Sequence, residues 1–286
     1  MAGGYLQLPE VLVRGSNWSQ AMLDNLEAAG AGTGGLRVST GAAQFESVPY
    51  VSVDELLIRF DEDVTVPADA LSVTGINVAD YQPGAVMYDP ATFTARWPLG
   101  VMPNVDRLQV HLGESVQDVV GNALDGEWQN GVSTMSGDGA AGGDLEFALN
   151  VVAADQDRNG TVGTGDLQIV LSNFTRSVPV GRFSEGDYAG PGGVPDGVVG
   201  TADLAGVLAR FTQTLPTVAR STGTTLAAAS ATGGHARQRA ALEAFIAEAS
   251  RMRLRLGIDA ADVTDDDAST LDSWVRGATH LLDRLI

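Results

Sequence analysis

Apolar and polar residues alternate through short runs in the first half of the chain. In Glu55-Leu56-Leu57-Ile58-Arg59-Phe60, the residues Leu56, Ile58 and Phe60 fall on one side. That is close to the period of two expected of a strand with one buried face. Phe93, Ala95 and Trp97 repeat the pattern, as do Leu108, Val110 and Leu112, and Leu71-Ser72-Val73-Thr74 is also strand-like. Asp80, Pro83-Gly84, Pro103-Asn104 and Gly121-Asn122 punctuate these runs. Short strands separated this way predict an antiparallel β-sandwich within residues 1–150. Ahead of them, Val11-Leu12-Val13 reads as a short strand, and Ser16-Asn17-Trp18-Ser19 reads as the cap of a helix over Ala21 to Ala29.

Beyond residue 150 the period becomes helical. Leu167, Val170, Leu171 and Phe174 form one apolar stripe, and Leu204, Val207, Leu208 and Phe211 form another. Both are read as core faces. The Ser/Thr/Ala/Gly-rich stretch Ser221–Gly234 marks a linker within 217–234. After it, Leu242, Phe245, Ile246, Ala249 and Met252, then Leu271, Trp274, Val275, Ala278, Leu281 and Leu282, predict a helical hairpin over 235–286. The fold class expected is multidomain, β then α, with a loop–helix pair at 151–216 between the sandwich and the hairpin.

Each stripe follows an oxygen-rich loop. Residues 155–166 place Asp155, Asp157, Asn159 and Asp166 at loop positions 1, 3, 5 and 12, with Gly160 at position 6. Ca²⁺ takes six to eight oxygens at roughly 2.3–2.6 Å, so a loop must curl and offer an oxygen at nearly every second residue. The Thr161 carbonyl would add another ligand, and Gly160 allows the turn. A shift of 37 residues lays Gly160–Thr175 over Gly197–Thr212, with Gly, Val, Gly, Thr, Asp, Leu, Val, Leu, Phe and Thr identical. Such self-similarity marks a duplicated unit. Val162 and Val199, at position 8, are expected to pair the two loops side by side. In the second loop Asp196, the Val198 carbonyl and Asp203 keep positions 5, 7 and 12, but positions 1 and 3 fall on Gly192 and Val194. Either the Gly/Pro-rich insertion Ala189–Gly193 loops out and returns Asp187 to the metal, or this half binds weakly or not at all.

One calcium loop and one helix, repeated, with Asp at position 12, resembles the type I dockerin family over Val151 to Pro216. The resemblance implies two Ca²⁺ sites and a cohesin-like docking partner, often in assemblies that degrade polysaccharide. Positions 10 and 11, which contact the partner in that family, are here the small pairs Thr164-Gly165 and Thr201-Ala202. Upstream, Asp54–Val64, Leu71–Gly75 and Val116–Trp128 resemble bacterial Ig-like modules of large surface proteins, spanning about Val51 to Val152. That likeness implies a spacer or adhesion unit without catalysis.

The formal charge of −19 and pI near 4.3 argue against nucleic acid or an anionic membrane surface as partner. There is no cysteine, so disulfides and thiolate metal sites are excluded. No run of about 18 apolar residues predicts a membrane span. Met1-Ala2-Gly3-Gly4-Tyr5 lacks the pattern of a signal peptide, so the chain reads as a fragment of an exported protein, extracellular or at the cell surface. Catalysis is not expected. His111, His235 and His280 lack neighbouring ligands, and Asp61-Glu62-Asp63 reads as a charged strand end or turn. Trp18, Trp97 and Trp128 read as buried rather than as a sugar platform, Gly137–Gly143 as a flexible connection, and the acidic run Asp262–Asp267 as helix capping.

Overall fold

A computed structural model describes residues 6–8 and 10–217, and these fall within one compact unit. The hairpin over 235–286, the linker beyond Thr217, His235, His280 and the Asp262–Asp267 run lie outside the described residues. The chain opens with β1 (Glu10–Arg14), α1 (Gln20–Ala28), β2 (Leu36–Arg37) and β3 (Ser47–Val48). It continues through β4 (Glu55–Arg59), β5 (Val64–Thr65), β6 (Leu71–Gly75), β7 (Met87–Asp89), β8 (Thr94–Pro98), β9 (Val105–Leu112), β10 (Gln117–Asp118) and β11 (Leu145–Val152). Two helices follow, α2 (Thr164–Asn173) and α3 (Thr201–Arg210). The helix expected after Ser19 forms there, with the Ser19 hydroxyl accepting from the Met22 amide at 3.2 Å.

The strands form a β-sandwich-like body. One sheet has the order β2-β1-β4-β8-β7, another β3-β11-β9-β6, and β5 pairs with β10 alone. On β9 alternation decides which face is buried, whereas β1 and β4 are buried on both faces. On β9, Asp106, Leu108, Val110 and Leu112 are buried, and the partially exposed residues lie between them. On β11, Leu145, Phe147 and Leu149 face the same way, opposite Leu112, Val110 and Leu108. Val11, Val13, Leu56, Ile58, Ala95 and Trp97 supply the corresponding core of the five-stranded sheet. Burial of such side chains contributes about 1.5–3 kcal/mol each, which is what holds strands this short together.

Three expectations are corrected here. The four-stranded sheet is mixed, because β3 runs parallel to β11 through Ser47↔Asn150 and Val48↔Val151. Phe93 lies outside β8 with φ +51°, since the Asp89–Phe93 turn needs a left-handed residue before the strand begins. The Gly137–Gly143 stretch begins as a wrap rather than a free connection. Asp125 is fully buried and accepts the amides of Asp138 and Gly139 at 2.8 and 3.1 Å. A Cβ on Gly137 would lie 2.3 Å from the Asp125 carboxylate.

Trp18 and Trp97 are buried as expected, whereas Trp128 is half-buried against Phe147 and donates to Gln44 Oε1. The Asp61–Asp63 run lies between β4 and β5, where Asp61 and Asp63 accept from the Gln7 amide and the Tyr88 hydroxyl. Among the described residues no helix is long and apolar enough to cross a membrane.

Candidate metal centre

β11 runs straight into the first oxygen-rich loop, so its last residues deliver Asp155 to the base of the body. Asp155 is fully buried. Its Oδ2 accepts from the Gly160 amide at 2.7 Å and from the Ser47 hydroxyl, and its Oδ1 accepts from the Asn159 amide at 3.1 Å. Gly160 sits at φ +87°, the left-handed conformation that aims its amide back at the carboxylate. Asn159 Oδ1 in turn accepts from the Thr161 amide at 2.9 Å.

Asp166, in the first turn of α2, closes the loop from the other end. It is fully buried, with Oδ1 accepting from the Gln156 and Asp157 amides and Oδ2 from the Gly163 amide at 2.7 Å. Asp157 is exposed, yet Asp155, Asp157 and Asp166 each bring one carboxylate oxygen within 4.8 Å of the others. Gly165 makes room for this: a Cβ there would stand 2.4 Å from Asp157 Oδ2.

The electrostatics of this group are unfavourable as it stands. Burial, opposed by the Ser47 and Gly160 hydrogen bonds and reinforced by the negative charge of Asp166, pushes the Asp155 carboxyl up to about 6. Burial raises Asp166 as well, against the backbone donors, with Asp157 adding repulsion. An all-oxygen set of carboxylates, two of them buried and pushed toward their neutral form by burial and by neighbouring negative charge, fits a hard divalent cation, which would neutralise them together.

The second loop repeats the same hydrogen-bond pattern by a different route. Asp187, not residue 192, takes the first position. Its Oδ2 accepts from the Gly197 amide at 3.0 Å and its Oδ1 from the Asp196 amide at 3.2 Å, matching the Asp155 contacts to Gly160 and Asn159. Asp203 Oδ1 accepts from the Tyr188 and Ala189 amides at 3.1 and 3.0 Å, and Oδ2 from the Gly200 amide at 2.9 Å, as Asp166 does in the first loop. Ala189 therefore corresponds to Asp157, in place of Val194. Residues 190–195 leave the cage and return, standing where the first loop has Arg158 alone.

Asp187 and Asp203 are fully buried, Asp196 is exposed, and position 3 carries no side-chain oxygen. Burial, offset by three backbone donors and reinforced by Asp187, pushes Asp203 up to about 6; burial raises Asp187 too. Among the described residues, these three carboxylates do not close to the spacing of the first group. A different trio does: Asp125, Glu127 and Asp138. Sequence reasoning missed it because its members are spaced irregularly.

Val162 and Val199 are fully buried but do not pair with each other. Val162 exchanges backbone hydrogen bonds with Gln213 and Thr212, just past α3, and Val199 does so with Arg176 and Thr175, just past α2. The crossing follows the threonine at positive φ just past each helix's capping phenylalanine, Thr175 at +66° and Thr212 at +71°. That turn swings the following residues across the opposite loop. Thr161 and Val198 pair the same way, with Thr214 and Ser177.

No protein-family model and no curated protein matches the chain. Among solved structures, surface layer protein SbsC, domains 1–6, aligns at 13% identity with a TM-score of 0.27, over 37% of this chain and 13% of that one. The N-terminal part of the bacterial S-layer protein SbsC aligns at 11% identity with a TM-score of 0.26, over 37% of this chain and 21% of that one. The chain spans well under two thirds of either neighbour, and a likeness this slight transfers nothing to it.

Proposed function

We propose that this chain is a calcium-binding, non-catalytic module of an extracellular or cell-surface protein, in which an Ig-like β-body presents a dockerin-like loop–helix pair for adhesion or docking. The observation that carries the reading is the repeated carboxylate cage. Asp155 and Asp187, and likewise Asp166 and Asp203, occupy matching places in two loops that differ in length and in neighbouring sequence. Asp155, Asp157, Asn159, the Thr161 carbonyl and Asp166 would hold one Ca²⁺. Asp187, Asp196, the Val198 carbonyl and Asp203 would hold another more weakly, because Ala189 removes a ligand. A bound ion would offset the mutual repulsion of these buried carboxylates. The partner would be a protein such as a cohesin, or another surface component.

Calcium binding and stability are then linked, since an ion that binds only the folded chain stabilises it in proportion to the logarithm of its concentration. Thermal unfolding of the full chain should shift upward with millimolar Ca²⁺ and fall with chelator. Asp157→Ala should leave the chelated melting temperature unchanged or slightly higher, because Asp157 is exposed and its charge repels buried Asp166. The same substitution should lower calcium affinity at the first loop by at least about tenfold. An identical melting temperature with and without calcium would sink the reading.

A further inference from the structure

We propose that the first metal site is completed from outside its own loop, with Ser47 on β3 acting as a positioning residue for Asp155. The proposal rests on the calcium reading above. Ser47 is fully buried, and its hydroxyl donates to Asp155 Oδ2 across 108 residues of sequence. That oxygen also receives the Gly160 amide, so two donors fix the orientation of the carboxylate. Oδ1 keeps one longer contact, from Asn159 at 3.1 Å, and is the oxygen more available to a cation.

The strand is itself held to the loop. Arg158, at loop position 4 and φ +61°, donates through Nε to the Ser47 carbonyl at 2.8 Å and pairs with Glu46 at 2.8 Å. The Ala154 amide reaches the Pro49 carbonyl at 2.7 Å. Residues 46–49 therefore brace the loop from outside, and the first cation would bind a cage built by the β-body and the loop together.

The second loop provides an internal control. There the additional donor to the first carboxylate is the Gly181 amide, at 2.7 Å from Asp187 Oδ2. A backbone donor is untouched by any side-chain replacement, so removing the Ser47 hydroxyl should weaken one cage and spare the other. Outer partners that orient a metal ligand are typically worth ten- to a hundredfold in affinity.

The test is a Ca²⁺ titration of the full chain, followed by amide NMR at Gly160 and Gly197, one reporter per cage. Ser47→Ala should weaken the Gly160 response about tenfold and leave the Gly197 response in place, which a general loss of stability would not do. Ser47→Cys, similar in shape but a weaker donor, should fall between wild type and alanine, and stands in if the alanine variant does not fold. Unchanged affinity at Gly160 in both variants would overturn the role of Ser47 while leaving calcium binding intact. No response at Gly160 in the wild type would bring down both.

Discussion

Buried carboxylates in this chain divide by what surrounds them. Asp106 is fully buried on β9, yet it is surrounded by donors: the amides of Ile76, Asn77, Val78 and Arg107 at 2.8–3.1 Å and the Tyr81 hydroxyl at 2.8 Å. Its two oxygens are fully occupied by donors, and it ties the turn after β6 to β9. Asp106→Asn keeps the shape but turns an amide NH₂ toward groups that also donate. The expected loss is about 3 kcal/mol, read as a lower midpoint of urea unfolding with and without calcium alike. Asp155 and Asp166 have donors too, but also each other and Asp157, and that excess of negative charge is what would favour a cation there and not at Asp106.

Among the elements, the β-strands with clean alternation were readable from sequence, and β9 is the clearest case. β11 was missed, although Leu145, Phe147 and Leu149 alternate, because the run ends in Asn150-Val151-Val152-Ala153 with both faces covered. A two-residue strand such as β3 leaves no periodic trace. That Asp155, Asp157 and Asp166 come together was readable because these residues keep fixed spacing, whereas the second loop was only half readable. Asp187 stood out as an upstream acid, but the place of Ala189 depended on where the chain left and rejoined the cage. Ser47 carried no local signal, since its partner lies more than a hundred residues away.

The helix ends show a second limit. Thr175 and Thr212 are exposed, β-branched residues in the left-handed region, where a Cβ costs roughly 1–2 kcal/mol. Their amides nevertheless bond to Val199 and Val162 at 2.8 Å. Thr212→Gly keeps that bond and removes the Cβ, at some cost in unfolded-chain entropy. It should stabilise the chain by up to about 1 kcal/mol, raising the melting temperature. A lower melting temperature would mean that the threonine side chain contributes more than its backbone conformation costs.

Across the fold, protons and the proposed calcium ions would compete for the same buried carboxylates. The folded-state values of Asp155 and Asp203 lie near 6, above the ordinary 3.8, so in this range the folded chain binds more protons than the unfolded one. Stability from these groups is therefore complete below about pH 3.8 and is lost as pH rises through about 6, by roughly 3 kcal/mol for Asp155. Calcium would act in the opposite sense, because it needs the carboxylates ionised. The gain in melting temperature on adding Ca²⁺, relative to chelator, should be near zero at pH 4 and grow steadily to pH 7. Scanning calorimetry across that window would show it, and a gain independent of pH would contradict the assignment of these carboxylates as ligands.

The excursion at residues 190–195 has a further meaning for how such a duplicated unit can change over time. Because Asp187 stands before the detour and Asp196 after it, the detour's length is uncoupled from the positions of the oxygens on either side. One copy can lengthen there, or accept a grafted peptide, while the other stays short, and the pair still closes across the crossed valines.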